Sequence, residues 1–368
     1  MKIRNCRYAE LADAVRGNRI VVFGMGAYFR YYVSEGLPES VRARVSYFVD
    51  NEPGNGEITV WGKHYQVYDV AALSKENNCV ILIASSNYML EMTDQLLQMD
   101  LPDSIVCYAY GLIMSTSVGT DDRKIRNTFT NPEREERIPR KIHTFWFSKE
   151  EKPEEYRRCI DSWQEYCPDY EFFEWNCDNY DYKKNPFMED AINQKKWAFA
   201  SDYARLDVIW KFGGIYMDAD MELCSSIDRF LGNKAFFTFD TANDIDLCII
   251  ASERKNPLMQ KLLHIYDNLI FNRYSSVELC QPRLIRNTLA AFGVKMDGNM
   301  QMVEGNIFLP RIYFSGLDEI TYRMTQDERK PLGIHHANAG WKEGGYREKR
   351  IKNNRELMRM IEEDYSRE

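Results

Sequence analysis

The chain lacks several features that mark common classes of protein. It has no apolar run long enough to cross a bilayer, and its first residues contain no signal-peptide core, so the sequence predicts a cytoplasmic protein without a transmembrane segment. It has no excess of basic charge, because 48 Lys and Arg stand against 56 Asp and Glu, and the formal net charge is -8 at pH 7. Binding of nucleic acid through a broad basic surface is therefore not expected.

The cysteines also lack a pattern. There are nine of them, an odd number, and no two form a C-x-x-C pair. Scattered cysteines of an intracellular protein are usually small buried hydrophobic residues, so we expect neither disulfide bonds nor a zinc site. The remaining composition, 44% hydrophobic and 28% charged, is typical of a folded soluble protein, and 368 residues suggest two domains.

The most informative stretch is residues 201–222, SDYARLDVIWKFGGIYMDADME. Apolar residues at helical spacing predict a helix in its first half, with Asp202 and Arg205 three residues apart and therefore on a shared face. Gly213 and Gly214 predict the end of this helix, because glycine adopts the left-handed conformation of a helix end without steric cost.

A strand is predicted to follow, from Ile215 to Leu223, with alternate residues on opposite sides. Asp218 and Asp220 would then share a side, with Cα atoms roughly 6.6 Å apart. Both side chains could reach one cation, and hard oxygen ligands suit Mg²⁺ or Mn²⁺ rather than zinc. An Asp-x-Asp triplet alone is common, but the metal interpretation is favoured here because unpaired carboxylates are costly to desolvate in a unit that looks buried.

The 27 residues from Trp197 to Leu223 resemble the core signature of the Asp-x-Asp sugar transferases of glycosyltransferase family 32, which are related to the clostridial glucosylating toxins. The match extends well beyond the triplet, which makes it specific. The resemblance implies an α/β domain of the GT-A type, a nucleotide-sugar donor, a divalent metal, and transfer with retention of the anomeric configuration.

The resemblance also implies roles for individual residues. Asp202 would bind sugar hydroxyls, and Arg205 would reach the sugar or the diphosphate. Tyr216 would lie near the ribose and the base. Asp218 would contact the ribose and the water shell of the metal, while Asp220 would bind the metal directly. The plainer alternatives are an ion pair on a helix surface for Asp202 and Arg205, and core packing for Tyr216.

Three residues outside this stretch take their roles from the same resemblance. Trp146, late in a predicted strand, would pack its flat face against the nucleotide base. In GIHHANAGW, His336 would be the third metal ligand and Trp341 would cover the diphosphate. We expect the glycine-rich residues 337–345 to form a mobile loop that orders when the donor binds.

Two other segments carry weaker signals. Asp240, Asn243 and Asp246 correspond roughly to a region beside the transferred sugar and the acceptor, although a turn is the default explanation for Asn243 and Asp244. Gln281 and Pro282 stand where many relatives carry Gly-Pro.

The sequence predicts four segments. Residues 1–115 alternate strands and helices, and they resemble the small Rossmann-like, doubly wound domains found beside bacterial sugar-modifying enzymes. Residues 116–137 are a polar linker, residues 138–345 are the GT-A domain, and residues 346–368 are a solvated, charged helix. The charges of this last segment nearly cancel, so it is not expected to anchor the protein electrostatically to a membrane.

The first segment contains part of a dinucleotide fingerprint. Gly24 and Gly26 follow a predicted strand, and Asp50 lies about 25 residues further on, but Phe29 replaces the third glycine. A domain of this type without a dinucleotide is at least as consistent with the sequence.

The predicted function is therefore a metal-dependent, retaining glycosyltransferase. Its donor would be a nucleotide sugar, with a UDP-sugar favoured over a GDP-sugar, and its acceptor a glycan or another hydroxyl compound. The resemblance implies a setting in cell-surface or capsular polysaccharide synthesis. Peripheral association with a membrane-bound glycan assembly system, at the inner face of the membrane, stays open. Two alternatives are an NAD-dependent nucleotide-sugar oxidoreductase or epimerase, and a non-catalytic sugar-binding protein.

Overall fold

The computed structural model describes residues 1–129, 134–274, 278–314, 331–336 and 346–366. Of these, residues 1–117 and 346–366 belong to one compact unit, unit 1, and the others belong to a second, unit 2. The chain therefore begins in unit 1, passes through unit 2, and returns to unit 1. No helix among the described residues is both long and apolar enough to cross a membrane.

Unit 1 is built on a parallel sheet. Its strands are β1 (Lys2–Arg4), β2 (Ile20–Phe23), β3 (Val45–Asp50), β4 (Glu57–Val60), β5 (Lys63–Asp69), β6 (Val80–Ile83) and β7 (Val106–Ala109). Its first helices are α1 (Leu11–Ala14), α2 (Ser34–Gly36), α3 (Glu39–Arg42), α4 (Met89–Leu97) and α5 (Tyr110–Thr116). Among the described residues the strand order is β1-β7-β6-β2-β3-β5-β4, and every neighbouring pair is parallel except β4 and β5. β3 and β5 lie on one side of β2, and β6 and β7 lie on the other, which is the doubly wound arrangement that the alternation of strands and helices predicts.

The glycine turn after β2 is held by the end of β3. Gly24 has a φ of 101°, which lies in the region that favours glycine. The Met25 N–H donates to one carboxylate oxygen of Asp50 over 2.8 Å, and the Glu52 N–H donates to the other over 3.0 Å. Asp50 therefore joins two turns, a role that requires no dinucleotide.

Unit 2 is a mixed α/β fold. Its helices in the first part are α6 (Arg123–Phe129), α7 (Glu154–Tyr166), α8 (Pro186–Asn193), α9 (Trp197–Phe212), α10 (Pro257–His264) and α11 (Gln281–Ala291). Its strands are β8 (Lys141–Phe145), β9 (Glu171–Trp175), β10 (Gly214–Met217), β11 (Met221–Leu223), β12 (Ala235–Phe239), β13 (Ile245–Ser252), β14 (Gln301–Val303), β15 (Asn306–Leu309) and β16 (Gly333–His335). The described residues form one sheet in the order β14-β15-β12-β13-β10-β8-β9 and a small sheet of β11 and β16.

The direction of the strands brings the ends of β8, β9 and β10 to one edge of the larger sheet. These three strands are mutually parallel neighbours, whereas β13 runs antiparallel to β10 and to β12. The buried helix α9 packs against β8, β10 and β13 and enters β10 directly. The order of elements that the sequence predicts around residues 201–222 is therefore confirmed, with one difference in the strand.

The two glycines end α9 as predicted. Gly213 and Gly214 have φ values of 67° and 106°, and a Cβ on Gly214 would lie only 2.6 Å from the carbonyl oxygen of Lys141. The prediction of one regular strand from Ile215 to Leu223 is wrong. A tight turn, closed by a 2.9 Å hydrogen bond from the Met221 N–H to the Asp218 carbonyl, separates β10 from β11.

The segment predicted as a linker is partly structured. Thr120 accepts a 2.9 Å hydrogen bond from the Met300 N–H through its carbonyl, and its own N–H donates to the Asn299 side chain over 2.8 Å. Ile125, in α6, packs against buried residues of the sheet of unit 2. Residues 118–129 are therefore the start of unit 2 rather than a free connection.

The C-terminal helix, α12 (Tyr346–Tyr365), completes unit 1. Leu357 and Ile361 are 0% and 4% exposed and join the apolar core beneath β1 and α4. Asp364 accepts a 3.1 Å hydrogen bond from the Ile3 N–H and pairs with Arg4. The prediction that this helix is solvated is wrong, because its few apolar residues are buried by a part of the chain more than 300 residues away.

His143, on β8, is a buried histidine with a structural role. It is 1% exposed and stacks on Phe173 and Trp175. The Trp175 indole donates to Nδ1 over 3.1 Å, so the neutral ring carries its hydrogen on Nε2, which donates to the Gly213 carbonyl over 3.0 Å. Burial lowers the pKa of His143 to about 4.

The buried contacts of α12 predict that Leu357→Ala destabilises unit 1. Removing a fully buried leucine side chain typically costs about 2 to 5 kcal/mol of unfolding free energy. Lys352→Ala, on the exposed side of the same helix, is the control and should leave that free energy nearly unchanged. Denaturant unfolding measures both variants, and an equal, small effect of the two would mean that the helix is not part of the core.

The lowered pKa of His143 predicts a defined pH dependence. Between pH 4 and 6.5 the unfolded chain binds a proton at this site that the folded protein does not, so stability falls as the pH is lowered through that window. His143→Phe keeps the ring stack but cannot titrate. We expect the variant to be less stable than the wild type at pH 7.5. Between pH 7.5 and pH 4 the unfolding free energy of the wild type should fall by up to about 3 kcal/mol more than that of the variant. Parallel stability curves for the two proteins would contradict the assignment.

Candidate active site

The acidic turn lies at the edge of the sheet where β8, β9 and β10 end. Asp218 directly follows β10, and its N–H donates to the Cys248 carbonyl of β13 over 2.8 Å. Asp220 precedes β11, two residues further on. Clefts beside the carboxyl ends of strands are the usual ligand sites of open α/β sheets, so this edge is the natural place for a binding site.

Arg205 joins two acidic groups and a backbone carbonyl from three elements. Its Nη2 lies 3.2 Å from the Asp202 carboxylate on α9 and 3.3 Å from the Asp218 carboxylate after β10. Nη1 donates to the Leu247 carbonyl on β13 over 2.9 Å, and Ser201 accepts the remaining bonds. The structure thus brings Asp202, Arg205 and Asp218 together, and Arg205 does more than form an ion pair within its own helix.

Tyr216 lies in the core rather than on an open surface. Its ring is 1% exposed, the Arg205 guanidinium lies over it at 4.7 Å, and its hydroxyl hydrogen-bonds to Asp218. The structure therefore gives Tyr216 the role of holding Arg205 and Asp218 in place, which corresponds to the core-packing alternative. The contact of Tyr216 with the ribose and the base, which the resemblance implies, stays a prediction.

A histidine completes the acidic cluster. His335 Nε2 lies 3.5 Å from the Asp220 carboxylate, and its Nδ1 lies 3.0 Å from the Asp246 carboxylate. One ligand atom from each of Asp218, Asp220 and His335 lies within 4.8 Å of the others. Carboxylate oxygens with one imidazole nitrogen fit Mn²⁺ or Mg²⁺, so the donor set is compatible with the cation predicted from the sequence.

The structure directs the two adjacent histidines to different carboxylates. His336, expected as the third metal ligand, has its Nε2 2.7 Å from the Glu222 carboxylate instead. Neighbouring residues of a strand point to opposite sides, and the pairing of β16 with β11 turns His335 toward the aspartates. The spacing to Trp341 points to His336, whereas the structure places His335 beside Asp218 and Asp220.

Asp246 is the residue of the region around β13 that joins the site. Its carboxylate accepts from the Cys248 N–H over 3.0 Å and from His335, which fixes the histidine ring with Nε2 directed at Asp220. Of the other two candidates, Asp240 donates its N–H to the Asp244 carbonyl over 3.0 Å, and Asn243 is buried in the same turn. The structure therefore gives both residues a place in the turn between β12 and β13.

The cluster contains more acidic than basic side chains. Burial raises the pKa of Asp202 to about 7, despite the opposing effect of Arg205, and burial also raises the pKa of Asp218. For Asp246 burial acts in the same direction, but the charge of His335 outweighs it and lowers the pKa to about 2. Four carboxylates thus share one arginine and one histidine, and such a site attracts a cation.

Trp146 lies at the same edge of the sheet. It follows β8, which is paired directly with β10, and its N–H donates to the Trp175 carbonyl over 2.9 Å. The indole N–H donates to the Glu150 carbonyl, also over 2.9 Å, and Lys152 lies over the ring. The ring is partly exposed, which leaves it able to pack against a planar ligand. Trp341 and the predicted loop 337–345 lie outside the described residues.

Comparison with known proteins identifies the region that carries these groups. The family model described as "Glycosyltransferase sugar-binding region containing DXD motif" matches residues 153–237, which include Asp202, Arg205, Asp218 and Asp220. Inositol phosphoceramide mannosyltransferase 1 of Schizosaccharomyces pombe is 27% identical over 160 residues, which cover 39% of this chain and 48% of the relative. The chain thus spans about half the length of this curated relative.

Among solved structures, the PaToxG glycosyltransferase is similar over 46% of this chain and 74% of its own, at 20% sequence identity and a TM-score of 0.38. The family match and the mannosyltransferase relative agree with the resemblance to the Asp-x-Asp sugar transferases that the sequence shows. Residues 153–237 therefore match a glycosyltransferase sugar-binding region that contains a DXD motif.

Proposed function

We propose that unit 2 transfers a hexose from a nucleotide sugar to an acceptor hydroxyl, in a reaction that depends on a divalent cation. The observation that carries this proposal is the grouping of Asp218, Asp220 and His335 within 4.8 Å, inside and beside the region matched by the DXD family. A protein that only binds sugars would not require this set of ligands. The arrangement of the site does not support the alternative of a nucleotide-sugar oxidoreductase.

The cation would be Mn²⁺ or Mg²⁺, held by the carboxylates of Asp218 and Asp220 and by Nε2 of His335. When bound, such a cation neutralises the negative charge that develops on the departing diphosphate. Asp246 would act as a positioning residue, because its 3.0 Å contact with Nδ1 fixes the orientation of the His335 ring.

The other residues of the site would bind and orient the donor. Asp202 would accept hydrogen bonds from sugar hydroxyls. Arg205 would hold the carboxylates of Asp202 and Asp218 in place while facing the donor. Trp146 would pack against the base. In the retaining reaction that we propose, the acceptor hydroxyl attacks the anomeric carbon from the side of the leaving diphosphate, which takes its proton.

The identity of the sugar and of the acceptor is proposed from similarity alone. The resemblance in the sequence favours a UDP-sugar over a GDP-sugar, and the name of the S. pombe relative, a mannosyltransferase, adds mannose as a candidate sugar. Cell-surface polysaccharide synthesis is the setting that we propose, with a glycan as the acceptor. Both nucleotide classes therefore belong in the first assay.

The site predicts that nucleoside diphosphate is released from one donor in a panel of UDP- and GDP-sugars with Mn²⁺. EDTA and Asp220→Ala should each abolish the release. His335→Ala should lower the rate of release by at least about 100-fold, because His335 would contact the cation directly. Asp246→Asn should weaken the affinity for Mn²⁺ by about 10- to 100-fold, because Asp246 only orients His335. The assay measures initial rates at several concentrations of Mn²⁺.

His336→Ala is the matched control for His335→Ala, since the two side chains are adjacent in sequence and chemically identical. We expect its rate to stay close to that of the wild type. Loss of activity in His336→Ala together with normal activity in His335→Ala would contradict the assignment of the ligands. Absence of release and of donor binding across the whole panel would contradict the proposed function.

The contacts of Arg205 predict that even Arg205→Lys damages the site. A lysine ammonium cannot replace a planar guanidinium that reaches Asp202, Asp218 and the Leu247 carbonyl at once. Leaving buried carboxylates poorly paired costs up to about 3 to 5 kcal/mol. We expect a lower melting temperature and a large loss of activity, whereas Arg229→Lys, at an exposed position, should change neither. Equal effects of the two substitutions would contradict the role of Arg205.

A further inference from the structure

The side chain of Gln281 is fixed against the backbone of Asp202. Gln281 begins α11 and is 3% exposed. Its Nε2 donates to the backbone carbonyl of Asp202 over 2.6 Å and to the Tyr266 hydroxyl over 2.9 Å. Both hydrogens of the amide are therefore used, and the orientation of the amide group is determined.

The other atom of this amide has no partner in the protein. Oε1 of Gln281 is buried, and no group in the described part of the chain donates a hydrogen bond to it. A buried carbonyl oxygen without a donor destabilises the folded protein, and such atoms are rare unless water or a ligand satisfies them. The amide cannot flip to relieve this, because Oε1 would then face the Asp202 carbonyl.

The surroundings of Gln281 make this acceptor rigid. Tyr266 is 1% exposed, and its ring packs edge-on against Phe187 and Tyr203. Asp202, whose carbonyl accepts from Gln281, directs its carboxylate to Arg205. The amide of Gln281 thus lies beside the residue to which sugar hydroxyls are assigned, on a framework that cannot easily move away from a ligand.

We propose that Oε1 of Gln281 accepts a hydrogen bond from a hydroxyl group of the transferred sugar and that Gln281 is a specificity-determining residue for the donor. This inference rests on the proposed function. A site with a fixed buried acceptor discriminates strongly against a ligand that lacks the matching donor, because the acceptor is then left unpaired. Gln281 would therefore select one sugar, or one configuration at a single carbon, from the nucleotide sugars that carry the same base.

The test compares a nucleotide sugar with its own nucleoside diphosphate. The probe is the nucleotide sugar from which the wild type releases nucleoside diphosphate in the panel, and calorimetry measures both affinities in the presence of Mn²⁺. Gln281→Met, which has similar length but no acceptor, should bind the nucleotide sugar about tenfold more weakly. Its affinity for the nucleoside diphosphate should not change, since that ligand lacks the sugar.

Monodeoxy analogues of the same donor locate the hydroxyl. The wild type should bind one analogue more weakly than the parent sugar, while Gln281→Met should bind that analogue and the parent equally. Tyr266→Phe keeps Oε1 and removes one anchor of Nε2, so it should produce a smaller loss that is again confined to the sugar-bearing ligand. If Gln281→Met does not fold, as judged by its melting curve, Tyr266→Phe and the analogues measured on the wild type decide the question.

Three results would overturn the inference. In the first, Gln281→Met lowers the affinities for the nucleotide sugar and for the nucleoside diphosphate equally. In the second, it lowers neither affinity. In the third, the wild type binds every monodeoxy analogue as tightly as the parent sugar. Each of them leaves donor binding by the wild type intact and so leaves the proposed function standing. Failure of the wild type to bind any nucleotide sugar of the panel would instead overturn the proposed function, and this inference with it.

Discussion

The buried guanidinium of Arg205 is the interaction on which the site depends. Without it, the carboxylates of Asp202 and Asp218 would lie in a poorly hydrated environment with little to offset their repulsion. Because Arg205 also binds the Leu247 carbonyl, the same group ties α9 and the end of β10 to β13. Packing of the sheet and placement of the acidic groups are therefore parts of one arrangement.

The residues that the sequence predicts best are those fixed by local rules. The end of α9 at Gly213 and the closeness of Asp202 to Arg205 follow from helix geometry and from the properties of glycine. The turn between Asp218 and Met221 does not, because alternating polarity is equally compatible with a continuous strand. The carboxylates of Asp218 and Asp220 come close together because the chain turns between them, and not because they alternate along one strand.

What the sequence does not reveal depends on contacts between distant residues. The choice of His335 over His336 follows from the register of β16 on β11, more than 100 residues earlier in the chain. The burial of Leu357 follows from the return of the chain to unit 1. Unit 1 itself has the parallel sheet that its sequence predicts, and the cytoplasmic location of the protein stays a prediction.

The central claim is that Asp218, Asp220 and His335 form one cation site. Titration with Mn²⁺, followed by electron paramagnetic resonance of the free ion, tests this claim without any donor or acceptor. We expect one tight site in the wild type and in His336→Ala, and loss of that site in His335→Ala. Tight binding that persists in His335→Ala and disappears in His336→Ala would contradict the arrangement of the site described above.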